Sequence, residues 1–361
     1  MHKLKEKLRQ SCIINFIYYG CHVDNLIYSF GLFGFDAKKK QAINKWLPDT
    51  KGSDKLIKSG IFRDMNECYK KYKCNPNEYF LFDFRNKSNE ERATYVTDTY
   101  INSKLARIVG RKQHDEQLND KYGFYCLMKP YFRRDVMVIK DTSDWSAFER
   151  FATSVKHLII KPNNASIGVG IKAVDVLSSD DAKQQFSDLL KMRGGVIVEQ
   201  KIEQSKEMGK WNKSSTNTIR LSTFLTKEGF FVLSSILRTG RAGSVVDNAG
   251  RGGISAAIDP ETGFIISDGI DKSGNLYLVH PDSKIGYKGI QLPRWGELLQ
   301  LAEEIHRNLP NQIYVGWDFA LTDEGWVLIE GNWGELGAQQ VALGHGLKPQ
   351  FNSFLDQGRK V

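Results

Sequence analysis

Asp318, Glu330 and Asn332 lie in "WDFALTDEGWVLIEGN", residues 317–332: two carboxylates twelve positions apart, with an amide two residues beyond the second. "YVGWDFAL" and "WVLIEG" alternate around "TDEG", a good turn sequence, so the stretch reads as a β-hairpin. With residues 323–325 as its loop, Asp318 falls opposite Glu330, and Asn332 shares a strand face with Glu330. Like charges directly opposite each other destabilise a strand pair unless something neutralises them, and no basic residue stands between these two in the hairpin. A hard divalent cation would do so with oxygen ligands, and Mg²⁺ typically takes one or two carboxylates plus substrate phosphates. Taken alone, the hairpin is equally an exposed turn with incidental acids.

A second stretch shifts that balance. "LIIKPNNASIGVGIK" (158–172) ends a strand at Lys161 and enters a loop of Asn, Ser and Gly before the chain resumes as a strand. Such a loop can fold backbone N–H groups onto phosphates, with Lys161 as a point charge. It is not the P-loop pattern, which opens a helix and carries Gly-Lys-Ser/Thr. Alone it is more often a plain turn, but a lysine before the loop and an acidic hairpin after it coincide rarely by chance.

The elements that must position these residues follow from periodicity. The first 118 residues read as mostly helical, with Ser88 and Glu91 as a capping box opening one helix. From 119 to 203, "DVMVI", "HLIIKP", "IGVGIKAVDV" and "VIVEQKI" are short strands. "DWSAFERFATSV" and "SSDDAKQQFSDLLKMRGG" are helices among them, the second stopped by Gly194 and Gly195. Beyond 204, "TNTIRLSTFL", "GFFVLSSILRTG", "GGISAAID" and the hairpin form an antiparallel sheet, with "LPRWGELLQLAEEIHRNLP" a helix between its strands. The chain is α+β, without the regular βαβ alternation of a dinucleotide-binding fold.

The 361 residues, 41% hydrophobic and 26% charged, have an ordinary globular balance and room for two or three domains. A net charge of +9 favours acidic partners without choosing among phosphates, anionic polymers, nucleic acid and membrane. The five cysteines, Cys12, Cys21, Cys68, Cys74 and Cys126, include no C-x-x-C pair and fit a reduced, cytoplasmic protein. "CIINFIYYGC" is shorter than the about 20 residues of a membrane span, and no small-residue cleavage site follows it. The basic N-terminus leaves room for peripheral contact with an anionic bilayer, although a helix packed on its own domain is the simpler expectation.

The order "NDK" (119–121), "IIKPNNASIGVG", "VIVEQKI", "NTIRLSTF", "ILRTGRAGSVVDNAGRGG" and "WDFALTDEGWVLIEGN" resembles the ATP-grasp ligases across roughly residues 119–335. It is also similar to the ribosomal-protein glutamate ligase branch. "SSTNTIRLST", "VDNAGRGG" and the hairpin look most like the sugar-transfer-associated ATP-grasp group, linked to cell-surface polysaccharide gene clusters.

The resemblance implies two α+β lobes gripping ATP, residues 119–203 and 204–361, behind the helical region 1–118. It implies Lys121 and Lys161 on the α and β phosphates, and the loop 164–170, with Ser166, Gly168 and Gly170, closing over the triphosphate. Glu199 with the backbone of Lys201 and Ile202 would read adenine. Glu207, with Glu203 as its competitor, would bind ribose. Arg220 and Arg238 would stabilise the transferring phosphoryl group, and Asn248 with Gly252 and Gly253 would shape the acceptor side. Asp318, Glu330 and Asn332 would hold two Mg²⁺ ions, replaceable by Mn²⁺.

The activity implied is an ATP-dependent carboxylate–amine ligase working through an acyl phosphate. It would join an amine or amino acid to a small-molecule or glycan carboxylate, such as a cell-surface polysaccharide precursor. The alternatives are an ATP-grasp kinase acting on a sugar or carboxylate and, from another class, a basic nucleic-acid-binding protein. Aromatic and basic residues are not interleaved in a recognised motif, so no nucleic-acid partner is expected. Bland alternatives stand beside several assignments. Strand arginines such as Arg220 and Arg238 are more often surface ion pairs, and His280 is more often a loop histidine than a base. Trp317, Trp326 and Trp333 are expected to pack the core.

Overall fold

The computed structural model describes residues 32–47, 60–110, 115–162, 170–192 and 195–359. The basic N-terminal segment, Cys12, Cys21, Ser166, Gly168 and Gly194 therefore lie outside the described residues. Cys68 and Cys74 are buried, and Cys126 is exposed. No helix among the described residues is long and apolar enough to cross a membrane.

The chain divides into two compact units, Met1–Asn86 and Lys87–Val361. In the first, α1 (Leu32–Trp46), α2 (Ile61–Tyr72) and α3 (Pro76–Leu81) bury Ile43, Met65, Tyr79, Phe80 and Phe84. Asn75 caps α3 in a reciprocal box with Glu78, which fixes where that helix begins.

The second unit opens with α4 (Asn89–Ala93), whose Ser88–Glu91 capping box forms as the sequence predicts. Next come α5 (Asp98–Ile108) and α6 (Lys121–Phe132), the latter capped by Asp120 through the Tyr122 N–H. Strands β1 (Val136–Ile139), β2 (His157–Pro162), β3 (Lys172–Asp175) and β4 (Val196–Gln200) make a sheet of order β1-β4-β2-β3, antiparallel throughout. Helices α7 (Trp145–Val155) and α8 (Ser179–Leu190) cover it. Phe148 and Ala152 from α7, with Ala182, Phe186 and Leu189 from α8, close over Leu158, Ile160 and Val198. Helix α8 ends at Leu190, with Lys191 as its C-cap, before the glycines expected to stop it.

A one-turn helix, α9 (Lys206–Gly209), leads into the larger sheet. Its strands are β5 (Thr218–Thr226), β6 (Gly229–Thr239), β7 (Ile254–Ile258), β8 (Gly269–Asp271), β9 (Leu276–Tyr277), β10 (Tyr314–Thr322) and β11 (Gly325–Asn332). They pair in the order β11-β10-β5-β6-β7-β8-β9, again antiparallel at every step. Helix α10 (Trp295–Arg307) contributes Leu298, Ala302 and Ile305, and α6 contributes Phe124 and Met128, to a core with Leu221, Leu237, Trp317 and Phe319. Trp317 and Trp326 are core residues, and Trp333 packs against that core. Helices α11 (Gly337–Leu343) and α12 (Lys348–Arg359) follow, and Phe351 and Leu355 of α12 meet Phe224 and Tyr314. An antiparallel sheet packed on both faces needs apolar side chains in both directions, so most of β5 and β10 is buried residue after residue.

Candidate active site

The hairpin β10–β11 places Asp318 opposite Glu330, as the sequence predicts, but by a different route. The expected three-residue loop is a two-residue one: Thr322 pairs with Gly325, whose φ of 136° is open to glycine alone. That shortening shifts the register by one residue. A β-bulge at Ile329 restores it, since Phe319 pairs with Leu328 and Asp318 with Glu330. The bulge also lets Ile329 and Glu330, adjacent in sequence, line the same cleft.

That cleft, of about 430 Å³, collects residues from both sheets. Lys121, Lys161, Glu199, Ile202, Arg220, Arg238, Asn248, Asp318, Glu330 and Asn332, all marked in the sequence, line its wall. Gly170, Lys201 and Glu207 do not. Lys201 and Glu207 are exposed, and the Lys201 N–H donates to the His157 carbonyl (2.9 Å), leaving only its carbonyl for a ligand. Gly253 packs tightly behind the loop that begins at Asp247: a Cβ there would lie 1.9 Å from the Asp247 carbonyl oxygen.

The acids are not waiting for a cation to relieve their repulsion, which corrects the expectation drawn from the hairpin alone. Asp318 pairs across β5–β10 with Arg220, whose Nε and NH2 groups donate to Oδ1 (2.5 Å) and Oδ2 (2.9 Å). Arg238 adds a third contact to Oδ1 at 2.8 Å. Arg220 and Asp318 are 6% and 3% exposed, so this is a buried bidentate pair and not a surface ion pair. Glu330 lies 3.3 Å from Lys121 Nζ, at the first residue of α6, and accepts from Asn332 Nδ2 at 3.1 Å. Burial works against its charge, yet Lys121, Lys161 and Arg220 outweigh that and hold its carboxyl well below the usual carboxylate range.

The opposite wall has the same composition. Glu199 accepts from Lys161 on Oε1 (2.8 Å) and from Arg134 Nε and NH2 on Oε2 (3.1 and 2.9 Å). Burial pushes its carboxyl up, and Lys161 and Arg134 bring it below its ordinary value. Arg134 escapes sequence reasoning because its partners come from 65 and 194 positions away, and no local pattern marks it. Asp247 is also new. It receives the Thr218 N–H (3.1 Å) and hydroxyl, and Arg238 Nε donates to that hydroxyl at 3.0 Å. Burial pushes the Asp247 carboxyl up despite Arg238. His280 is fully buried and hydrogen-bonded through Nε2 to the Gly240 carbonyl, at 2.8 Å.

Four cationic side chains, Lys121, Lys161, Arg220 and Arg238, share this cleft with six carboxylates, Asp98, Glu199, Asp247, Asp318, Glu330 and Glu335. An acid-rich cleft repels a bare polyphosphate and admits one that arrives with cations. The two carboxylates and one amide of Asp318, Glu330 and Asn332 have the donor chemistry of a hard divalent ion. Among the described residues no three His, Cys, Asp or Glu side chains converge for a metal, so such an ion would complete its shell with ligand oxygens.

Two antiparallel α+β lobes sharing a cleft lined by two lysines, two arginines and an acid–amide hairpin define the ATP-grasp class. The chain matches the sugar-transfer associated ATP-grasp family over residues 100–355, and it belongs to that family. Membership brings ATP binding and the ATP-dependent ligase class with it. Among solved structures, D-alanyl-alanine synthetase A from Vibrio cholerae is similar, with 11% identity, TM-score 0.43, and 69% of this chain and 67% of that one covered. D-alanine–D-alanine ligase from Bacillus anthracis is 16% identical, with TM-score 0.39 and 67% of each chain covered. The ATP-grasp ligase PsnB, solved with a precursor peptide and AMPPNP, is 12% identical, with TM-score 0.43, and 86% of this chain and 76% of that one covered. No curated protein matches the chain.

Proposed function

We propose that this protein is an ATP-dependent carboxylate–amine ligase that joins an amine or amino acid to a carboxylated precursor of a cell-surface polysaccharide. The observation that carries it is the convergence of two lysines, two arginines and the Asp318–Glu330–Asn332 oxygens on one cleft. A substrate carboxylate oxygen attacks the γ-phosphorus of ATP. The bond from that phosphorus to the β,γ-bridging oxygen breaks, and ADP leaves an acyl phosphate behind. An amine nitrogen then attacks the acyl carbon, inorganic phosphate departs, and the nitrogen loses a proton to give the amide.

Lys121 and Lys161 orient the phosphates, while Arg220 and Arg238, held in place by Asp318, face the transferring group. Asp318, Glu330 and Asn332 would hold Mg²⁺, whose charge neutralises that on the polyphosphate. Ile202 and the Lys201 carbonyl are the adenine contacts, and Asn248 belongs to the acceptor side, whereas Glu207, exposed and outside the cleft lining, is not assigned the ribose. The family's sugar-transfer association supports a glycan carboxylate as acceptor, and the net charge of +9 suits an anionic sugar.

The test is to incubate the protein with Mg-ATP, pooled sugar nucleotides and amino acids, following ADP and free phosphate separately. Equal release of both, dependent on a carboxylate and an amine together, is the expected result. ADP formed with a stable phosphorylated sugar, and no free phosphate, would replace the ligase with a kinase.

A further inference from the structure

Arg134 is 8% exposed and belongs to none of the roles above, yet it touches three parts of the cleft's frame. Its Nε and NH2 groups hold Glu199 on β4. Its NH1 donates to the Phe132 carbonyl at 3.2 Å, at the end of the helix that begins with Lys121, and to the Leu328 carbonyl at 2.7 Å. Leu328 immediately precedes the bulge that sets Glu330 opposite Asp318. The guanidinium also stacks on the Phe132 ring, 4.6 Å from its centroid. One planar fork thus ties the strand behind Lys161 to the hairpin of the acids, a task a lysine's single ammonium cannot repeat.

We propose that Arg134 is a positioning residue that fixes the separation of Lys161 from the Glu330 hairpin and leaves Lys161 with net positive charge to offer a phosphate. The proposal rests on the ligase reading and concerns the same site. Glu199 carries one negative charge and is shared by two cations, so the trio keeps one positive charge, on the Lys161 side that lines the cleft. Without Arg134, Glu199 and Lys161 neutralise each other 2.8 Å apart, and the phosphate loses its attraction.

This predicts an effect whose size depends on Glu199, which mere structural support would not produce. Calorimetric titration with Mg-ATP is run on the wild type, Arg134→Met, Glu199→Gln and the double variant, each checked for folding by apo melting. Arg134→Met should raise Kd about tenfold in the wild-type background and less than about threefold in the Glu199→Gln background, where Lys161 has lost the carboxylate it directly contacts. Equal losses in both backgrounds, or none in either, overturn the proposal.

If Arg134→Met shows no folding transition, Arg134→Lys carries the test. It keeps the charge beside Glu199 but gives up the Leu328 carbonyl, so kcat should fall about tenfold with KM for ATP nearly unchanged. Unchanged kcat overturns the positioning role. A wild-type protein that does not bind Mg-ATP overturns the ligase reading and this proposal together, whereas wild-type binding without coupling overturns this proposal alone.

Discussion

The two walls of the cleft are built from the same parts, one carboxylate between two cations, and use them differently. On the large sheet, Asp318 clamps Arg220 and Arg238, and all three line the cleft. On the small sheet, Glu199 faces Lys161 on the cleft side, while its other cation, Arg134, turns inward to backbone carbonyls. The first wall keeps both of its cations for a ligand, with Asp318 as their common hinge. The second commits one cation to construction. Identical charge composition therefore does not mean identical vulnerability: removing the acid strands two ligand-facing arginines on one wall and a single lysine on the other.

The largest expected effect tests that asymmetry. Asp318→Asn replaces the carboxylate shared by two mostly buried guanidiniums with a neutral amide, leaving Arg238 only Asp247 and the Thr218 hydroxyl, and breaking such a pair costs about 3 to 5 kcal/mol. Glu199→Gln should cost less, because Arg134 retains two carbonyls and Lys161 still faces the cleft. Denaturant unfolding of both apo variants measures this. Equal losses would mean the walls are equivalent.

A somewhat smaller effect separates the sheets by pH. His306 of α10 is fully buried, donates through Nε2 to the Gln312 carbonyl (2.7 Å) and accepts the Thr223 hydroxyl at Nδ1 (2.9 Å). That hydroxyl also receives the Trp317 indole N–H at 2.8 Å, so the histidine braces the large sheet. Burial pushes its pKa down to about 4. The unfolded chain takes up a proton below about pH 6.5 while the folded protein does not until about pH 4. Stability is therefore full above pH 6.5 and falls by about 3 kcal/mol as the pH drops from 6.5 to 4. His280, also pushed down by burial, contributes with the same sign, so the check is the difference in slope between wild type and His306→Gln. Parallel slopes would remove His306 as the cause.

The smallest stability effects belong to the hairpin's open end. Glu330 is charged in a field of cations, so Glu330→Gln should lower apo stability by about 1 kcal/mol, while the Mg-ATP-dependent melting shift and turnover disappear. Asn332→Ala removes one hydrogen bond and no charge, and should cost less on both counts. Paired apo and Mg-ATP melts with ADP release decide the matter. Near-normal turnover in Glu330→Gln would make these structural acids only.

What the sequence revealed and what it hid have a common physical basis. Strand alternation and turn chemistry are local, so the antiparallel strands after residue 204, the hairpin and the Ser88 cap were legible. The neutralisation of Asp318 was not, because Arg220 lies 98 positions away and meets it only once β5 pairs with β10. Asp247 could have been suspected from its place beside Asn248 in "VVDNAGRGG". Arg134 could not, since its partners are defined by two separate sheets.

The extra residue at Ile329 sets terms for anyone grafting or comparing this hairpin. The outgoing and returning limbs differ in length by design, and the surplus is cancelled only at the far end from the turn. A one-residue deletion in the returning limb would rotate the segment 330–332 to the opposite face of the sheet, away from the phosphates it is proposed to serve. Transplanting the turn alone into a regular hairpin would do the same. The exchangeable module is the whole stretch from Tyr314 to Asn332, insertion included.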